Sequence, residues 1–455
     1  MRIRFWGVRG SIAKPGPATL RYGGNTLCVE VRAADGTLIV LDCGTGAHGL
    51  GQALLASGER PLRGHLLITH THWDHIQGFP FFAPLFIPGN EWDIYAPGGM
   101  GTHLATTLAG QMEYTYFPVT LEQLGATIRF HELGEGAFGI GGVRVTAQYL
   151  NHATLDLGYR LEADGVAVVY SVDHEPHAAP TTKEMGLSGG WPAPVFLHRE
   201  DQRHVDFLVG ADLVIHDAQY TAEEYPAKVG WGHTPVEWAV DYALAAGAAR
   251  LALFHHDPLR ADEALDRLQD ACRRRAHAAG GSLEVFAAAE GQALDLGECR
   301  AAEAPAAAAA PQAPAPRPAA SPAERTVLIA DDDPDVLRLL TTTLRPEGLR
   351  LLTAGDGEEA LRLARAERPA LILLDWQMPG RDGLEVTRAL REDADPALRE
   401  VPVVLITAQT GAENTAAGFA AGVTDYLAKP FTPTNVRARV RTWLLRRGAG
   451  QGGGA

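Results

Sequence analysis

The chain has 455 residues, 46% of them apolar, which is enough for two or three domains that each bury a core. A formal net charge of −15 argues against general nucleic-acid binding, which needs clustered Lys and Arg against phosphate. No apolar run approaches the roughly 20 residues of a membrane span, so neither nucleic acid nor a membrane is an expected partner.

Along the chain, the opening Met1 to Gly7 turns to Gly and charge too early for a signal peptide and reads as a first strand. Cys28, Cys43, Cys272 and Cys299 form no CxxC pair and are expected as reduced thiols, in keeping with a cytoplasmic chain. Up to about residue 300, short strands alternate with turns, with candidates at 37–42, 66–69, 143–150, 166–172, 213–216 and 251–255. Helical patterns occupy 235–246 and 261–278. Residues 301–324 carry six prolines and little apolar bulk, so they are expected to form an extended, semi-stiff linker. Residues 325–447 alternate strand and helix, with strands at 326–330, 349–354, 371–374, 403–407 and 425–427, implying an α/β, doubly wound parallel sheet. The Gly-rich stretch 448–455 is expected to be disordered. All 17 histidines lie between His48 and His277, so 1–300 and 325–447 are expected to be separate domains with different chemistry.

The run His70-Thr71-His72-Trp73-Asp74-His75 follows an apolar strand candidate. Residues two apart in an extended segment face the same way, so His70 and His72 can share one cation. Asp74 and His75 fall past a turn and can face a second. Imidazole and carboxylate ligands suit zinc, with manganese or iron(II) as alternatives. Further ligand-type residues, His152, Asp173 and the pair His255 and His256, each follow an apolar run, where a sheet would gather them at one rim. Between neighbours that must point apart, the strand-end position favours His255. His174 and His177 either line the pocket or bond to carboxylates. His48, His65, His103, His131, His198, His204 and His277 are expected to be structural or on the surface. The aromatics between Phe79 and Phe117 are expected to be mostly core, with some available to cap the pocket.

In this order the residues resemble the metallo-β-lactamase superfamily over 1–300. The resemblance implies an αβ/βα sandwich with two metals. His70, His72 and His152 would hold one, Asp74, His75 and His255 the other, and Asp173 would bridge. His72 stands where oxygen-handling diiron members often carry Glu, which disfavours redox chemistry. Ile215-His216-Asp217-Ala218 and Gly232-His233-Thr234 resemble the branch containing tRNase Z and small phosphodiesterases, implying that Asp217 orients His233 toward a scissile phosphate. Phe5 to Ser11, Tyr22 to Thr26 and Leu41 to Gly46 resemble bacterial hydrolases of the same branch. Asp217 replaces the Glu usual there, Val172 and His174 flank Asp173 in place of Gly and Thr, and no long tRNA-gripping insertion is present. Asp74 is expected to help orient the attacking hydroxide.

In the C-terminal part, Asp331 and Asp332 end the first strand, Asp375 the third and Thr407 the fourth, and Lys429 follows the fifth. Strand ends of a parallel doubly wound sheet converge on one pocket, where three carboxylates attract Mg²⁺. Only four lysines occur in the chain, and Lys429 is the one in this half. The segment resembles a two-component response regulator receiver domain over its whole length. That implies Asp375 as phosphoacceptor, Asp331, Asp332 and Asp375 around Mg²⁺, Thr407 and Lys429 as phosphoryl contacts, and Tyr426 as the switch aromatic.

The leading expectation is a response regulator whose output is a dinuclear metal hydrolase acting on a small phosphodiester, such as a cyclic nucleotide, under control of Asp375. The alternatives are a lactonase or other carboxylic-ester hydrolase, and a non-catalytic metal-domain sensor in a phosphorelay. Expected partners are a sensor histidine kinase or phosphotransfer protein and the small substrate, with a homodimer open.

Overall fold

The computed structural model describes residues 1–98, 104–177, 199–297, 326–407, 418, 421–429 and 431–449. The expected linker and most of the Gly-rich tail lie outside the described residues, as do His103, His198 and Cys299. The chain divides into two compact units.

In the first unit the strands are β1 (Arg2–Gly7), β2 (Cys28–Arg32), β3 (Leu38–Leu41), β4 (Arg63–Leu67), β5 (Glu91–Pro97), β6 (Thr127–Leu133) and β7 (Gly136–Ile140). They continue with β8 (Val143–Tyr149), β9 (Leu157–Ala163), β10 (Val166–Ser171), β11 (Leu213–Asp217), β12 (Arg250–Phe254), β13 (Glu284–Ala287) and β14 (Ala293–Asp295). The helices are α1 (Gly46–Ala56), α2 (Trp73–Ile76), α3 (Leu104–Gln111), α4 (Arg199–Leu208), α5 (Val236–Ala245) and α6 (Asp262–Ala278). Two 7-stranded sheets result, ordered β14-β1-β2-β3-β4-β5-β6 and β13-β12-β11-β10-β9-β8-β7.

The sheets face each other. Phe5 of β1 meets Phe254 of β12 at 5.8 Å between ring centroids, and Tyr159 of β9 donates to the Ile68 carbonyl at 2.7 Å. Helix α1 covers the outer face of the first sheet, packing Ala47, Leu50 and Leu54 on Val40, Leu66 and Ile94. Helices α4, α5 and α6 cover the second, with Val205, Val240 and Leu265 on Val169, Val214 and Leu251. This is an αβ/βα sandwich. Because β10, β11 and β12 are buried on both faces, each carries a continuous apolar run, Val-Ala-Val-Val-Tyr, Leu-Val-Ile and Leu-Ala-Leu-Phe. By contrast β8, Val-Arg-Val-Thr-Ala-Gln-Tyr, alternates buried and partly exposed residues with period two.

Most predicted strands shift by one or two residues at an end, and one boundary shift has chemical content. The strand expected at 66–69 ends at Leu67, because the Thr69 amide donates to the Asp42 carboxylate at 2.8 Å and so leaves the ladder. The histidine run is therefore a loop entering the single-turn helix α2, with His72 as its N-cap residue. Of the aromatics after that run, Phe79, Phe82, Trp92 and Tyr95 are buried, whereas Phe81, Tyr114 and Tyr116 are exposed. Cys28, Cys43 and Cys272 are free and buried.

The second unit contains β15 (Thr326–Ala330), α7 (Pro334–Leu344), β16 (Arg350–Ala354), α8 (Gly357–Glu367), β17 (Leu371–Asp375) and α9 (Gly383–Arg391). It ends with α10 (Pro396–Arg399), β18 (Val403–Thr407), β19 (Asp425–Ala428) and α11 (Pro433–Ala449). All pairings in its 5-stranded sheet are parallel, in the order β16-β15-β17-β18-β19. Four of its helices start on an aspartate side chain that accepts from a backbone amide of the first turn: Asp333, Asp356, Asp382 and Asp395. Each such cap contributes about 1 kcal/mol, so part of the acidic charge is spent locally on helix starts. Among the described residues, no helix is long and apolar enough to cross a membrane.

Candidate metal centre

Parallel pairing of β10, β11 and β12 puts Asp173, Asp217 and His255 at three neighbouring strand ends. His152 follows β8, which runs in the same direction as β10 because β9 is antiparallel to both. His70, His72, Asp74 and His75 reach the same rim from the first sheet. Asp173 and His255 adopt left-handed backbone with φ of 57° and 56°, and Asp42 does so at 56°. Each such residue costs on the order of 1–3 kcal/mol, strain that aims these side chains into the rim.

Two overlapping donor sets form there. In His70, His72, His152 and Asp173, one ligand atom from each lies within 4.8 Å of all the others, and the same holds for Asp74, His75 and His255. Within the first set, Asp173 Oδ2 lies 3.6 Å from His70 Nε2 and 3.6 Å from His152 Nε2, and His152 Nε2 lies 3.2 Å from His72 Nδ1. In the second, Asp74 Oδ2 is 3.6 Å from His75 Nε2 and 3.2 Å from His255 Nε2. Asp173 touches this set too, with Oδ2 at 3.4 Å from His75 Nε2 and Oδ1 at 3.0 Å from His255 Nε2. Donors about 2.0–2.1 Å from a tetrahedral zinc stand roughly 3.3 Å apart, so these spacings fit one divalent cation per set. The buried His70 Nε2 has no hydrogen-bond partner among the described residues, as a group awaiting a cation would.

In the first donor set, electrostatics agree with that fit. Burial, reinforced by neighbouring histidines, holds His70 neutral, and burial pushes His152 down to about 3, leaving lone pairs free to ligate. Burial also works against charge on His75, but Asp42, Asp74 and Asp173 outweigh it and raise its pKa.

The expected residues are joined by supporting groups that the sequence did not reveal. His75 Nδ1 donates to Asp42 Oδ2 at 2.8 Å, and Tyr170 donates to the same oxygen at 2.9 Å. This fixes the tautomer that turns His75 Nε2 inward. Asp42 ends an apolar strand, and the strand-end rule that found Asp173 would have found it. Asp156, fully buried, lies 3.4 Å from His70 Nδ1, and burial followed by the charge of Asp173 raises its pKa. The Ser11 amide donates to Asp74 Oδ2 at 2.6 Å, and a side chain at Gly10 would collide with the His255 ring at 2.1 Å. His256 points away, onto the Ala288 carbonyl at 2.9 Å.

Beside the donor sets, His233 Nδ1 donates to Asp217 Oδ2 at 3.0 Å. That oxygen also accepts from the Thr234 amide, and Asp217 Oδ1 accepts from the Gln219 amide, so Asp217 acts throughout as an acceptor. The His233 ring stacks on His255 at 4.8 Å. His233, Asp173 and His255 also lie within mutual ligand reach. His177 pairs with Asp201, and His174 Nδ1 accepts from the Asn151 amide, so both stand behind the centre and not among its donors.

In the second unit, Lys429 Nζ reaches Asp375 Oδ1 at 2.6 Å and Asp331 Oδ2 at 2.9 Å. Asp332 is exposed on the adjoining loop, and Thr407 is buried at the end of β18. Tyr426 stacks on Trp376, next after Asp375, at 6.2 Å.

Residues 37–256 match the family model described as a beta-lactamase superfamily domain, and residues 327–441 match the response regulator receiver domain. The DNA-binding response regulator MtrA of Mycolicibacterium smegmatis is 42% identical over 120 residues, covering 26% of this chain and 50% of MtrA. The chain thus spans about half the length of the curated relatives it matches. Among solved structures, the metallo-beta-lactamase fold protein YhfI from Bacillus subtilis is 17% identical with a TM-score of 0.44, covering 64% of this chain and 98% of that one. The short form of human tRNase Z is 20% identical with a TM-score of 0.42, covering 65% and 99%.

Proposed function

For a chain that joins a beta-lactamase superfamily domain to a response regulator receiver domain, we propose a response regulator with a dinuclear metal hydrolase as output, acting on a small phosphodiester. We assign residues 1–300 to the hydrolase, 301–324 to a linker and 325–447 to the receiver. The observation that carries the hydrolase reading is the pair of interlocked donor sets sharing Asp173, with Asp217 and His233 at their edge. His70, His72 and His152 would hold one divalent cation, zinc by the donor chemistry, and Asp74, His75 and His255 the other.

When bound, two such cations lower the pKa of a coordinated water and neutralise phosphate oxygens. The side chains supply the rest. Asp74, steadied by the Ser11 amide, presents a carboxylate that orients the attacking hydroxide. Asp217 holds the Nδ1 proton of His233, which leaves Nε2 to face the scissile phosphate and, when protonated, to donate to the departing alkoxide. The fixed pairing of Asp217 with His233 favours a phosphoester over a carboxylic ester, whose smaller oxyanion the cations alone can stabilise.

Receiver domains take a phosphoryl group from a sensor histidine kinase or phosphotransfer protein, and we assign that role here to Asp375. Lys429 bonds to it and would pair with the added charge, while Asp331 and Asp332 would hold Mg²⁺. A metal assay with bis-p-nitrophenyl phosphate turnover tests the hydrolase reading. We expect two divalent metals per chain, loss of turnover on chelation and its return on adding zinc or manganese, and no turnover in Asp173→Ala. Full turnover by the metal-free chain, or hydrolysis of lactones in place of phosphodiesters, would overturn it.

A further inference from the structure

Of the ligands in the first donor set, His70, His152 and Asp173 are buried and only His72 is exposed, so the centre opens to solvent at His72. Two exposed tryptophans adjoin residues of that opening in the chain. Trp73 follows His72 directly and is 73% exposed. Trp231, 56% exposed, precedes Gly232, whose carbonyl accepts from His152 Nδ1 at 3.1 Å. His152 Nε2 in turn lies 3.2 Å from His72 Nδ1. The backbone at Trp73 is thus linked to the backbone at Trp231 through His72, His152 and Gly232. The other tryptophans among the described residues are buried or half-buried.

Neither tryptophan sits on a slack segment. Trp73 is the first residue of α2, between two ligands. The Trp231 loop is tied down by the buried Glu175, which accepts from the Gly230 amide at 2.6 Å, the Gly232 amide at 2.9 Å and the Tyr225 hydroxyl at 2.8 Å. Gly232, at φ +88°, admits no side chain, since a Cβ there would lie 2.1 Å from His152 Nδ1. Lys228, one of four lysines in the chain, holds its ammonium 4.1 Å from the Trp231 ring. Two large apolar surfaces on rigid backbone, beside a cation and at the mouth of a metal centre, form a built recognition surface.

We propose that Trp73 and Trp231 form a stacking subsite for a planar aromatic arm of the substrate, a nucleobase or an aryl group, with Lys228 drawing in its anionic part. The proposal rests on the phosphodiester reading and names the substrate class within it. An aromatic face accepts any planar ring, so the subsite selects aromatic over aliphatic esters without reading one base.

The test is calorimetric titration of the metal-loaded full chain with adenosine monophosphate, p-nitrophenyl phosphate and glycerol phosphate. We expect Trp73→Ala and Trp231→Ala each to weaken binding of the two aromatic phosphates about tenfold, while glycerol phosphate changes less than twofold and Trp231→Phe keeps most of the affinity. The tighter of the two aromatic probes distinguishes nucleobase from aryl. Equal weakening of all three probes, no weakening of any, or no binding of any probe to the unaltered chain would overturn the subsite. A change of oligomeric state in the alanine variants with unchanged affinities would also overturn it, assigning the surface to a second copy of the chain. Aromatic-selective binding that persists in a chain with no phosphodiester turnover would overturn the hydrolase reading and leave the subsite standing.

Discussion

Asp42 illustrates how one residue outside the donor sets governs them. It lies in left-handed backbone, where Asn is tolerated as well as Asp, and holds both Thr69 and His75. Asp42→Asn is therefore expected to keep the fold and weaken metal binding about 10- to 100-fold, because an amide oxygen orients the imidazole less strongly than a carboxylate. Competition with a metallochromic chelator measures it, and wild-type affinity in the variant would rule out this role. The four ligand-type residues between His70 and His75 were legible in the sequence because they are chemically distinctive and crowded. The strand-end position marks Asp42 as a candidate, but its role came only from the imidazole it meets 33 residues away, and Asp156 carried no such mark. His255 and His256 show both halves of this: adjacency says that they diverge and strand-end position favours His255, and the packing of β12 turns His255 to the donor sets and His256 to the Ala288 carbonyl.

At the scale of elements, α4 and β11 are joined by a buried histidine pair. His216 Nδ1 donates to the Asp217 carbonyl, so its Nε2 is a bare acceptor, and His204 Nε2 donates to it at 2.9 Å. Both are therefore neutral. Burial lowers both pKa values, and for His204 the neighbouring His216 adds to the effect. His174, His177, Asp201 and Tyr242 surround the pair. As pH falls below the unfolded value of 6.5, the unfolded chain takes up protons that the folded pair refuses. The stability this pair provides is thus complete above that pH and declines below it, by up to about 1.4 kcal/mol per pH unit for each imidazole. His204→Gln keeps a donor for His216 and removes one titration. The fall in calorimetric Tm between pH 7.5 and 5.5 should be shallower in the variant, and an equal fall would exclude the pair as a source. Such a pair cannot be read from the sequence, where His204 stood among the structural or surface histidines and His216 within the motif Ile215 to Ala218. Element types, by contrast, were largely legible, since β15 to β19 and β10 to β12 are apolar runs bounded by turn residues.

For the whole molecule, two independent constellations on one chain predict that phosphorylation at Asp375 changes hydrolase rate or oligomeric state at least twofold. Beryllofluoride, bound as a phosphoryl mimic, tests this directly, and Asp375→Asn should abolish the response. Identical rates, oligomeric states and partner binding with and without the mimic would sink the coupling. The sequence by itself pointed to the two domain types, the candidate ligands and the single lysine of the receiver segment, because metal and phosphoryl sites demand rare residue types at short spacings or at strand ends. Tertiary structure alone decided the rest. It gathered donors more than 180 residues apart around Asp173, set Asp42 behind His75 and tied the loop carrying Trp231 to His152. Those relations depend on which strands become neighbours and where each strand leaves its ladder, and no local pattern of residues encodes that.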